Sequence, residues 1–148
     1  MTSPEAGPEL DLEFPPKPEY VRAARLAVGA LARLHDVPDE VVEDIKLAVS
    51  EACNTALPDR EDPAPPNPIQ VVASVGSGGL TVEVIDRSSS LQRGVSGRPL
   101  DLETGDLPFD RALALPLIRG LVERLTIEPL HPSGASILME FAEGKPAH

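Results

Sequence analysis

Hydrophobic residues in the first part of the chain follow two different spacings. Leu10, Leu12 and Phe14 alternate with acidic residues, which is the period-two pattern of a strand with one buried side. Two segments with the period of an α-helix follow, over about residues 19–34 and 39–57, and each has one broad apolar side. The chain is therefore predicted to open with a strand and two amphipathic helices that share a core.

The second half of the chain is predicted to contain mainly paired strands. Residues 69–75 and 80–85 are rich in β-forming residues and flank a glycine-rich turn, which predicts a β-hairpin. A third helix is predicted from about residue 109 to 124, followed by strands over 125–128 and 135–141. Strands joined in hairpins, with the helices grouped apart, indicate an α+β fold. We expect a two-layer sandwich of one mostly antiparallel sheet with helices on one face.

Four segments have few apolar residues to contribute to this core. Residues 1–9 and 144–148 are expected to be disordered tails around one domain at 10–143. Five prolines between residues 58 and 68 predict a stiff, extended spacer rather than a docking motif. The polar, glycine-bearing stretch from residue 86 to 108 predicts a long loop and the least ordered internal segment.

Composition excludes several classes of function. The formal net charge of -11, with no run of lysine or arginine, argues against nucleic-acid binding and is compatible with a basic protein partner. The single cysteine, Cys53, excludes an intrachain disulfide and a cysteine-based zinc site, and its place in an apolar helical stripe predicts burial. No signal-peptide pattern and no membrane-spanning run is found, so a cytoplasmic protein is expected.

The segment from residue 43 to 56 is the most informative part of the chain for function. It resembles the N-box helix of bacterial anti-sigma-factor serine kinases of the RsbW type, which have the Bergerat (GHKL) ATP-binding fold. The resemblance implies that Glu51 orients or deprotonates an attacking hydroxyl and that an asparagine four residues later holds Mg²⁺. Here Thr55 stands at that later position, and Asn54 stands one residue early on the same helix side. The candidate catalytic residue is Glu51, and the candidate metal ligands are Asn54 and Thr55.

The end of the second predicted strand resembles the first glycine box of the same family. The resemblance implies that Asp86 accepts a hydrogen bond from the adenine amino group of ATP. Ser88 and Ser90 stand where the family has two glycines, which let the backbone approach the nucleotide closely. Ser136, on the final strand, corresponds to a hydroxyl that supports the adenine-binding carboxylate. These four residues are further candidates for nucleotide binding.

The start of the third predicted helix resembles the second glycine box, a loop that bends around the triphosphate and leads into a helix. Such a helix start offers backbone N–H groups to an anion. Ala112 and Ala114 stand at the two glycine positions, and Arg111 is a candidate phosphate contact. Because alanine adopts left-handed backbone angles only at a cost, we expect the helix to begin earlier and close the phosphate cradle.

The substitutions at the glycine and asparagine positions occur together, whereas the apolar positions around them are kept. This pattern indicates a retained fold with weak or lost binding of ATP and Mg²⁺, and we expect a dissociation constant for ATP above about 100 µM. The resemblance implies a regulator, working as a homodimer, that binds a sigma factor and an anti-anti-sigma factor by partner switching.

Two functions stay open for such a regulator. One is a binding module without chemistry, which the substitutions favour. The other is an active serine kinase that phosphorylates the anti-anti-sigma partner from ATP, which Glu51 and Asp86 favour. A histidine-kinase catalytic domain has the same fold, but the chain has no room for the separate helical hairpin that carries its phosphorylated histidine.

Overall fold

A computed structural model describes residues 8–58, 67–76, 78–88 and 109–142, with the backbone alone for residues 109–113. The predicted tails and spacer, and the loop from residue 89 onward, lie mainly outside the described residues. The elements are, in chain order, β1 (Leu10–Phe14), α1 (Pro18–Leu34), α2 (Asp39–Asn54), β2 (Ile69–Gly76), β3 (Gly79–Asp86), α3 (Phe109–Leu121), β4 (Arg124–Pro129) and β5 (Ala135–Phe141).

The strands form one sheet in the order β1-β2-β3-β5-β4, and every neighbouring pair is antiparallel. The predicted α+β class and the antiparallel sheet are confirmed. The predicted ends of two helices differ from the structure. The third helix stops at Leu121 because Arg124 already pairs with Glu140 of the last strand, and α2 stops at Asn54 rather than near residue 57.

The core lies between the sheet and the three helices. Side chains alternate across a strand, so every second residue faces the helices. One such cross-strand row contains Val71, Val84 and Ile137, all fully buried. The helices contribute buried residues at helical spacing, including Val28 of α1 and Ile45 of α2. Helix α2 packs against α1, β3 and α3, and it is therefore the central element of the helical layer.

The opposite face of the sheet is more polar. Its central row runs across the strands through Asp11, Val72, Glu83, Leu138 and Thr126, and these residues are half-buried or exposed. The alternation in burial along β2 and β3 shows that the helices cover only the other face. One face of the sheet is therefore apolar and covered by helices, and the other is more polar. The position of a residue in its strand decides on which face its side chain lies.

Candidate functional site

The candidate site residues come from the ends of three elements that meet around α2. Glu51 and Asn54 belong to the last turn of α2, and Thr55 caps the helix directly after it. Asp86 is the last residue of β3, and Ala114 lies in the first half of α3. Helix α2 packs against both β3 and α3, the two elements that carry the other candidate residues.

The last turn of α2 directs its polar side chains in different directions. Thr55 is only 2% exposed, and its hydroxyl donates a 2.6 Å hydrogen bond to the carbonyl oxygen of Ala52. Asn54 is exposed and Glu51 is half-buried. The residue at the family's metal-ligand position is therefore turned into the helix end, while the displaced amide of Asn54 faces solvent.

Asp86 ends β3 on the face of the sheet that the helices cover, and it is 2% exposed. Its Oδ1 accepts two hydrogen bonds from Ser88, one from the backbone N–H at 2.8 Å and one from the side-chain hydroxyl at 2.5 Å. A carboxylate that accepts from the backbone two residues later forms an Asx turn. The carboxylate assigned to the adenine base is thus engaged by the chain's own serine.

The connection between β4 and β5 holds this turn from the side. Gly134 has a φ of 105°, and a Cβ on it would clash with the Asp86 carbonyl oxygen and lie 2.6 Å from Arg87 Cα. The hydroxyl of Ser133 donates to the Arg87 carbonyl at 2.9 Å. Ser133 and Gly134 were not among the residues predicted to support Asp86. The sequence does show a glycine directly before the last strand. Its contact with Asp86, however, depends on the pairing of β5 with β3, which the sequence pattern does not reveal.

Ser136 does not support Asp86, contrary to the expectation from the resemblance. It pairs with Ile85, so its side chain lies on the polar face of the sheet, opposite to the face that carries Asp86. Its hydroxyl donates a 2.5 Å hydrogen bond to Glu83 Oε2. The side chain of Ser136 therefore takes no part in the candidate nucleotide site.

The start of α3 differs from a glycine-rich loop. The helix begins at Phe109, so Ala112 and Ala114 both lie within it, as their helix-forming side chains predicted. Ala114 is 2% exposed and belongs to the packed side of the helix. The side chains of Arg111 and Ala112, and all of Ser90, lie outside the described residues.

The described contacts fit Mg·ATP poorly at the three element ends. The Thr55 hydroxyl donates to the helix end, and Asp86 Oδ1 accepts from Ser88. Ala114 lies in a helix, where the resemblance implies a glycine-rich loop. Within the described ranges, no group of three or more histidine, cysteine, aspartate or glutamate side chains could hold a metal ion. At the end of α2, the exposed amide of Asn54 is the candidate ligand that faces solvent and could hold a Mg²⁺ ion.

A family comparison matches the chain over nearly all of the sheet and the helical layer. The model of the histidine kinase-like ATPase domain matches residues 14–141, from the end of β1 to the end of β5. The chain belongs to this family. It is 28% identical over 138 residues to the serine-protein kinase RsbW of Bacillus thuringiensis (strain Al Hakam), which covers 88% of this chain and 82% of the relative.

A second relative of the family supports the same grouping. The chain is 32% identical over 98 residues to the serine-protein kinase RsbW of Listeria monocytogenes serotype 4a (strain HCC23), which covers 65% of this chain and 55% of the relative. The predicted membership of the RsbW-like group of histidine kinase-like ATPases is therefore confirmed. Among the described helices, none is long and apolar enough to cross a membrane.

Proposed function

We propose that this chain is a cytoplasmic anti-sigma-factor-like regulator that acts by partner switching, with weak or lost ATP binding. Its partners would be a sigma factor and an anti-anti-sigma factor, and it would work as a homodimer. The similarity to RsbW proteins over most of the chain supports the class of partner. Exchange between the two partners would then be governed by their competition rather than by the nucleotide.

The hydrogen bond of Thr55 is the observation that carries this proposal. In the family resemblance, the position four residues after Glu51 supplies an amide oxygen for Mg²⁺. Here that position carries a hydroxyl that donates to Ala52 at 2.6 Å and is 2% exposed. Magnesium prefers oxygen ligands in near-ideal octahedral geometry. A buried hydroxyl turned toward its own helix is a poor substitute, so the triphosphate loses a principal anchor.

Helix α1 offers a surface that suits a protein partner. Tyr20, Leu26 and Leu34 are 42%, 55% and 78% exposed, and they lie on the side of α1 that is turned away from the core. The exposed residues Ala23 and Ala30 lie between them at helical spacing. A continuous apolar stripe on a surface helix is typical of a site that binds a partner's helix. This stripe, residues 20, 23, 26, 30 and 34, is separate from the candidate nucleotide site.

The proposal is tested by titrating candidate sigma factors of the same organism into the full chain by isothermal titration calorimetry. One titration contains EDTA and no nucleotide, and the other contains Mg·ATP. We expect the two dissociation constants to agree within about threefold. A nucleotide that binds the free and the sigma-bound protein equally well cannot change the affinity for the sigma factor. Binding that appears only with Mg·ATP would contradict nucleotide independence, and no binding in either titration would contradict the assigned partner.

The alternative function is an active serine kinase, which the half-buried Glu51 at the catalytic position of α2 favours. If the chain phosphorylates the anti-anti-sigma factor, Glu51→Ala should lower the rate by about 10² to 10⁴, the usual effect of removing a positioned general base. Asp44→Ala, which removes an exposed acid of the same helix, is the matched control. Phosphorylation lost in the first variant and kept in the second would establish the kinase.

A further inference from the structure

Asp86 and Ser88 form a closed contact at the position assigned to the adenine base. The Asp86 Oδ1 atom accepts both the backbone N–H and the hydroxyl of Ser88, at 2.8 and 2.5 Å. The carboxylate is 2% exposed, so a ligand must displace part of this contact to reach that oxygen. Glycine at residue 88 would keep the N–H contact but could not supply the hydroxyl.

We propose that the Ser88 hydroxyl competes with the adenine amino group for Asp86 Oδ1 and thereby lowers the affinity for adenine nucleotides. This inference rests on the proposed weak ATP binding and on the assignment of Asp86 to the adenine base, which the family resemblance implies. A contact within the chain, between Ser88 and Asp86, would thus regulate nucleotide binding. Ser88 is a specificity-determining residue because a base without an amino donor would gain nothing when the hydroxyl is removed.

The intramolecular donor has a physical advantage over a ligand. It is two residues from its acceptor, so its effective concentration is high and its contact costs little loss of freedom. Its hydrogen bond to the carboxylate is charge-assisted, and the hydrogen bond from an adenine amino group would be of the same type. A ligand amino group therefore exchanges one good hydrogen bond for another and gains little net free energy.

The surrounding backbone keeps Ser88 in place. Gly134 contacts the main chain of Asp86 and Arg87 without room for a Cβ, and Ser133 holds the Arg87 carbonyl. The residue between the acceptor and the donor is thus fixed by the β4–β5 connection. Because Arg87 is held, the backbone cannot readily swing Ser88 away, and release of the carboxylate must come from rotation of the hydroxyl alone.

The experiment compares three variants of Ser88 in the full chain by calorimetric titration with ATP and with inosine triphosphate. Inosine triphosphate has a carbonyl oxygen where adenine has its amino group, so it lacks the donor that is assigned to Asp86. Ser88→Ala removes the hydroxyl and keeps the Cβ, Ser88→Gly removes both, and Ser88→Thr is the matched control that keeps the hydroxyl. We expect Ser88→Ala and Ser88→Gly to bind ATP about tenfold tighter than wild type, as one charge-assisted hydrogen bond allows.

Other titrations should show unchanged nucleotide affinity. Ser88→Thr should bind ATP as wild type does, and inosine triphosphate should bind all four proteins alike. Adding Asp86→Asn to Ser88→Ala should remove the gain. Unchanged ATP affinity in Ser88→Ala overturns the inference, as does an equal gain for inosine triphosphate. If Asp86→Asn in the wild-type background also leaves ATP affinity unchanged, the assignment of Asp86 to the adenine base fails as well. The assignment of the sigma factor as partner is tested independently, by the sigma-factor titration.

Discussion

Gly134 lies against the main chain of Asp86 so closely that a side chain on it would clash with the Asp86 carbonyl oxygen. Its φ of 105° is in the region that residues other than glycine rarely adopt. Two independent constraints, steric contact and backbone angle, therefore require glycine at this position. The contact joins the start of β5 to the end of β3, beside the candidate nucleotide site.

We predict that Gly134→Ala lowers the free energy of unfolding by about 2–4 kcal/mol, because both the backbone strain and the clash must be relieved by local displacement. Urea unfolding followed by far-UV circular dichroism measures this. Gly120→Ala is the control, since a Cβ on Gly120 meets nothing within 4 Å and its backbone is helical. That variant should gain about 0.5–1 kcal/mol. Equal effects of the two substitutions would show that the contact at Gly134 is not required.

A second prediction concerns the metal-ligand position. Exchanging the two residues, Asn54→Thr with Thr55→Asn, should place an amide oxygen four residues after Glu51. We expect ATP binding in the exchanged protein to strengthen at least about tenfold when Mg²⁺ replaces EDTA, as metal coordination adds a bond to the phosphates. Wild type should show a smaller ratio in the same pair of titrations. If the ratios agree, residue 55 does not contribute to metal binding in this chain.

The sequence predicted most of the fold because hydrophobic periodicity reports which side of an element is buried. Leu10, Leu12 and Phe14 gave β1 in this way, and the stripe through Ile45 and Cys53 gave α2. The role predicted for Ser136 was wrong. Ala135 is the residue that pairs with Asp86, and Ser136, one residue later, has its side chain on the other face of the sheet. The two hydrogen bonds from Ser88 could not be predicted, since they depend on turn geometry beyond the strand.

The exposed stripe on α1 leads to a third prediction. Leu26→Asp should weaken binding of the sigma factor at least about tenfold, because a charge is placed in the middle of an apolar contact. It should change the free energy of unfolding by no more than about 0.5 kcal/mol, as Leu26 is 55% exposed. Leu47→Asp is the matched control, an exposed leucine on α2 outside the stripe. Equal loss of binding in both variants would remove the stripe as the docking surface.

The fourth prediction concerns stability at alkaline pH. Burial raises the pKa of the Cys53 thiol from its ordinary value of 9.0 to about 12, because the apolar core disfavours the thiolate. Above pH 9 the unfolded chain loses this proton while the folded protein keeps it, so stability falls as pH rises. The free energy of unfolding should drop between pH 9 and 11 by up to about 1.4 kcal/mol per pH unit more in wild type than in Cys53→Ala. Parallel pH profiles of the two proteins would contradict the shift.

The reactivity of the same thiol can be used to measure how often the domain opens. Cys53 is the only cysteine in the chain and is fully buried in the core, so a thiol reagent modifies it only after the core around α2 has opened. The rate of modification then reports how often the folded protein opens, with no label or mutation added. Any molecule that binds only the folded form slows this rate in proportion to its occupancy. Candidate partners and nucleotides can therefore be ranked on the unmodified protein by timing one covalent reaction.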